Sequence, residues 1–108
     1  MDITRLTIHE LTELLREGAT TSIEITESVF KKIEAVEERV NAYITLTKDE
    51  AFKMAEKADK DIREGKAGAL SGIPVAVKDN MCMKGVKTTC GSHILENFIP
   101  PYDATVVR

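Results

Sequence analysis

Ile25, Val29, Ile33, Val36 and Val40 recur at steps of four, four, three and four, which is one face of an α-helix. Just ahead of them stands Thr21-Ser22-Ile23-Glu24, a capping box in which Thr and Glu satisfy each other's backbone donors. The same signature opens two more segments. Thr7-Ile8-His9-Glu10 precedes Leu11, Leu14 and Leu15 and a stop at Gly18. Thr47-Lys48-Asp49-Glu50 precedes Ala51, Met54, Ala55, Ala58 and Ile62, with Gly65 as the stop. Three helices are predicted. On the third, Asp49–Lys53, Glu56–Lys60 and Asp59–Arg63 stand at i, i+4 and are expected to form exposed pairs.

Two stretches break the helical period. NAYITLT (residues 41–47) reads as a strand from Tyr43, Ile44, Thr45 and Leu46 in a row. SGIPVAVKDN (residues 71–80) holds an unbroken apolar block over 73–77 and then Lys78. A surface strand would alternate with polar residues, whereas a strand covered on both faces need not. Strand, helix, strand in that order predicts two parallel strands joined right-handedly. The expected fold class is therefore α/β: helices over 1–40, then from residue 41 a strand-helix-strand unit contributing to a mixed sheet. Lys78 would stand at the carboxyl end of a parallel strand, where reacting groups gather in open α/β sheets. A lysine snorkelling to water from a strand end has the same pattern, and spacing does not separate the two. Asp79 would face away from Lys78 and need not neutralise it.

Composition narrows the function without choosing it. The 108 residues carry a net charge of −3 with no concentrated basic stripe, which disfavours a nucleic-acid-binding domain. Residues 48–66 hold six basic and six acidic side chains, a balanced solvated helix face. No apolar run approaches the roughly 18 residues that cross a bilayer, and MDITRLTIHE lacks the pattern of a signal peptide. Cytoplasm is the expected compartment. Cys82 and Cys90 fit no CxxC spacing; together with His93 they offer three potential metal ligands, but two reduced thiols is the preferred reading. Residues 81–93, rich in Gly, Thr and Ser, suit an active-site loop or a surface connection. Pro100-Pro101 stops any helix, and Asp103 is expected to cap a turn over 104–107. Ending barely one turn later, the chain is expected to be a truncated piece of something longer.

GIPVAVKDN (72–80), KGVKTTCGS (84–92) and ILENFIPPYDATVV (94–107) resemble the amidase signature family. Within it they are most similar to the branch of glutamyl-tRNA(Gln) amidotransferase A subunits. The resemblance runs over essentially the whole chain. It implies a Ser–cis-Ser–Lys triad in which Lys78 is the base. A lysine serves as a base when its charged form is destabilised, and desolvation at the end of a covered apolar strand would do that.

The resemblance implies that both serines lie in Gly/Ser-rich motifs. Ser22, Ser28, Ser71 and Ser92 are not flanked that way, so loop packing is the expected role of Ser92. It further implies glutamine as substrate, hydrolysed through an acyl-serine to release ammonia. A partner subunit with ATP and Mg would use that ammonia to convert Glu-tRNA(Gln) to Gln-tRNA(Gln). The B and C subunits are the implied partners, tRNA is met only through the complex, and this segment binds no cofactor. Two other readings stay open: part of a stand-alone amidase, or a non-catalytic module. Taken alone, the chain is expected to be inactive and, with an interior strand uncovered, to self-associate.

Overall fold

The computed structural model describes residues 2–108; Met1 lies outside the described residues. Three α-helices follow one another: α1 (Ile8–Glu17), α2 (Ser22–Val40) and α3 (Lys48–Arg63). Short 3-10 turns stand at Ile3–Arg5, His93–Leu95 and Thr105–Val107. The chain divides into two units. One comprises the chain up to Asn41 together with Lys48–Pro74, the other Ala42–Thr47 with Val75–Arg108.

The first unit is the three-helix bundle. Thr7 and Thr21 cap α1 and α2, each accepting from the N–H three residues on, while Glu10 and Glu24 return the bond to the cap backbone. Both helices stop on a left-handed residue, Gly18 and Asn41. Leu11 and Leu15 of α1 pack on Ile25 of α2, with Ile3, Leu6, Ile62 and Ile73 closing around them. Phe30 and Phe52 stack with their ring centres 5.9 Å apart, joining α2 to α3. Burial of these side chains offsets the entropy of ordering the helices. The apolar face read from α2 loses burial at its last turn, where Val40 is exposed. On α3, Met54 faces solvent at 58% exposure instead of the inner face, and Ala55 and Asp59 are the buried residues.

The second unit has no regular element beyond its two 3-10 turns. A single antiparallel bridge joins Met83 and Val86. Among the described residues there is no strand and no sheet, so the strand-helix-strand unit and the mixed α/β sheet expected from the sequence are not formed. Extended chain becomes a strand only when its N–H and C=O groups pair with a second extended segment. Neither stretch finds such a partner. Ile73 turns into the helical core, whereas Val75 is 70% and Val77 41% exposed. An apolar run reports that a segment can be buried, not that a covering layer is present.

Among the described residues, no helix is long and apolar enough to cross a membrane.

Candidate functional site

Gly72 opens the segment that leads to Lys78. Its φ of +86° lies in the left-handed region, and an added Cβ would meet the Leu15 Cδ1 at 3.0 Å and the Ser22 Cβ at 3.3 Å. Only glycine combines that backbone with that closeness. The Ser22 hydroxyl donates to the Gly72 carbonyl at 3.0 Å. So the first residue of GIPVAVKDN is seated on the helical bundle by the residue that begins α2.

Lys78 is exposed, and among the described residues its ammonium makes no hydrogen bond or ion pair. The covered strand that was to desolvate it is absent. Its main chain is nonetheless held: the Lys78 carbonyl accepts from the Met81 N–H at 3.1 Å, closing a turn. Lys78 thus stands at a turn and not at a strand end.

The neighbouring Asp79 does not pair with Lys78. Its carboxylate accepts from the Thr89 N–H at 2.9 Å and from the Thr89 hydroxyl. The Asp79 carbonyl accepts from the Cys90 N–H at 2.8 Å. Thr89 is buried, and its Oγ1 also accepts from the Gly91 N–H at 3.2 Å. The φ angles of Cys90 and Gly91, +52° and +66°, turn the chain back at this point. Sequence reading missed this clamp. KDN (78–80) and TTCG (88–91) supplied its residue types, but nothing in their spacing matched one to the other.

The other candidates are dispersed. Ser92 caps the His93–Leu95 turn, its hydroxyl accepting from the Ile94 N–H at 3.3 Å. Asp103 does not cap the last turn as the sequence suggested. The cap position there is Ala104, with no side-chain bond, and the Asp103 carboxylate accepts from the Lys84 N–H at 2.7 Å. The competing acceptor site was non-local, out of reach of a local capping rule. Cys82 and Cys90 are free thiols. The Cys82 thiol lies 3.7 Å from the Tyr102 hydroxyl, and that hydrogen bond, followed by the charge Cys82 can carry, raises the Tyr102 phenol above its ordinary 10.0. His93 approaches Glu96 at 3.7 Å. Among the described residues, no three His, Cys, Asp or Glu side chains gather as a metal site.

The sequence matches the family model described as Amidase over residues 24–108. The chain belongs to the amidase family. Its amidase relatives include the A subunit of glutamyl-tRNA(Gln) amidotransferase from Syntrophus aciditrophicus, 59% identical over 107 residues, and that from Geotalea daltonii, 57% identical. Each match takes in 99% of this chain and 22% of the relative, so the chain spans about a fifth of the length of the curated relatives it matches. A solved structure also superposes on it with a TM-score of 0.86 at 28% identity, covering 94% of this chain and 23% of that one. It is described as a vestigial protein complex that reveals the evolutionary origins of an s-triazine catabolic enzyme.

Proposed function

We propose that this chain is the amino-terminal segment of the A subunit of a glutamyl-tRNA(Gln) amidotransferase, and that Lys78 is the base of its amidase site. The observation that carries the reading is 59% identity to such a subunit over all but one residue of the chain, GIPVAVKDN included. In the complete polypeptide a Ser–cis-Ser pair supplies the nucleophile and the proton relay, and Lys78 takes the proton. An ammonium on a held turn with no carboxylate paired to it among the described residues suits that role. Closure of the site by the remaining polypeptide supplies the desolvation that this chain alone does not. Glutamine is hydrolysed through an acyl-serine. The ammonia passes to a partner subunit, which uses ATP and Mg to amidate Glu-tRNA(Gln) in the cytoplasm.

The test is Lys78→Ala in the complete polypeptide, assembled with its partners. Glutamine hydrolysis is expected to fall by about 10²–10⁴-fold while the assembly persists. Turnover near that of the unsubstituted enzyme sinks the assignment. Amidation of Glu-tRNA(Gln) measured on the same preparation separates an amidotransferase from a stand-alone amidase, which would release ammonia without amidating tRNA.

A further inference from the structure

We infer that Asp79 is a positioning residue for Lys78, acting through a clamp on Thr89 and Cys90; this rests on the reading of Lys78 as the base. Two kinds of bond tie Asp79 to the adjacent residues Thr89 and Cys90. Its carboxylate takes the N–H and hydroxyl of Thr89, and its carbonyl takes the N–H of Cys90 at 2.8 Å. With side chain and carbonyl both engaged, Asp79 has little freedom to rotate about its own Cα. The Met81 N–H on the Lys78 carbonyl at 3.1 Å restrains the peptide that joins Lys78 to Asp79. A long side chain with four rotatable bonds loses aim when its Cα–Cβ direction wanders, and a base has to meet its proton within hydrogen-bond reach.

The clamp leaves the Lys78 ammonium unpaired among the described residues. An acidic neighbour aimed at Lys78 would favour its charged form and oppose base catalysis. Here the carboxylate is consumed by Thr89, whose hydroxyl and N–H both donate to it. The geometry therefore separates two jobs that adjacency in sequence would have mixed: Asp79 holds the turn, and Lys78 remains unpaired.

The experiment has two arms. In the 108-residue chain, amide exchange is followed by NMR at Met81, Cys90 and Gly91, together with the Cα and Cβ shifts of Lys78. Asp79→Ala and Thr89→Val are expected to speed exchange at these amides about tenfold, the loss of roughly one hydrogen bond, and to move the Lys78 shifts toward disordered values. Thr89→Ser, which keeps the hydroxyl, is expected to stay near the unsubstituted chain. In the complete polypeptide, Thr89→Val is expected to lower kcat for glutamine with KM little changed, and Thr89→Ser to restore it. If Asp79→Ala frees Cys90 and Gly91 while Met81 exchange and the Lys78 shifts stay put, the clamp does not reach Lys78 and the inference is overturned, with the base reading intact. If Lys78→Ala keeps full turnover, the base reading itself falls, and with it the catalytic meaning of the clamp.

Discussion

Asp59, near the end of α3, closes the amino terminus of α2: its carboxylate accepts from the Ser22 N–H at 2.6 Å and the Ile23 N–H at 3.2 Å. An α-helix begins with four N–H groups that have no partner within the helix. In α2 the Thr21 N–H goes to Glu24 and the Glu24 N–H to the Thr21 hydroxyl, which leaves Ser22 and Ile23. Asp59 takes both. The local capping box and a carboxylate from 36 and 37 residues away thus satisfy all four donors between them, and the negative charge sits at the positive end of the helix dipole.

Asp59→Ala is expected to destabilise the chain by about 1–3 kcal/mol, since it strips two donors of their acceptor at a site where Asp59 is only 8% exposed. Urea unfolding followed by circular dichroism measures it. Asp61→Ala serves as the comparison, because Asp61 pairs with Lys57 on the solvent side at 2.6 Å and should cost clearly less. Equal losses for the two variants would contradict the capping role.

Gly72→Ala should cost more than Gly85→Ala. Both glycines have positive φ, +86° and +75°, so each substitution carries a backbone penalty of about 1–2 kcal/mol. At Gly85 nothing lies within 4 Å of the new methyl, whereas at Gly72 it meets Leu15 at 3.0 Å and Ile62 at 3.4 Å, inside the core. Thermal unfolding of the two variants side by side gives the difference, and a Gly72→Ala chain as stable as Gly85→Ala would mean that the core yields freely there.

The α1 capping box should make stability depend on pH. The backbone N–H of Thr7, then its hydroxyl, hold the Glu10 carboxyl below its ordinary 4.5. A carboxylate whose folded value is depressed adds stability that is present above its ordinary value and lost as pH falls through the folded one. Acidification below pH 4.5 should therefore loosen the first turn of α1. NMR titration of the Glu10 carboxyl in the unsubstituted chain and in Thr7→Ala separates the two causes: Thr7→Ala removes the hydroxyl and keeps the N–H, so Glu10 is expected to move only part of the way back to 4.5.

Lys78→Ala should leave the stability of this chain within about 0.5 kcal/mol, because the side chain is exposed and unpaired among the described residues. Paired with the large loss of glutamine hydrolysis expected in the complete polypeptide, that would separate chemistry from folding. A strongly destabilised Lys78→Ala chain would assign Lys78 a structural part that no contact of its side chain explains.

Much of the helical unit was legible in the sequence because its signals are local. A capping box spans four residues, an apolar face repeats every three or four, and both can be read without knowing what lies opposite. Thr7, Thr21, Glu10 and Glu24 do in the fold what their spacing announces. Lys78 was proposed on another ground: it stands in GIPVAVKDN, inside the stretch that matches the amidase family.

What only the tertiary structure decided depends on partners distant in the chain. Asp59 was expected to pair with Arg63 on the surface, yet it is buried against Ser22 and Ile23. Its i, i+4 spacing is the same in either case, and the choice belongs to the packing of α3 on α2. Asp79 could not be matched to Thr89 from spacing, since a loop of ten residues has no period to carry the register. The apolar block at 73–77 divides between core and solvent because hydrophobicity states a preference for burial, while the covering layer and the pairing strand must come from elsewhere. By itself the sequence determined where α1 and α2 begin and singled out Lys78 as the candidate base; the fold decided which carboxylates are spent on N–H groups, and among the described residues none of them pairs with Lys78.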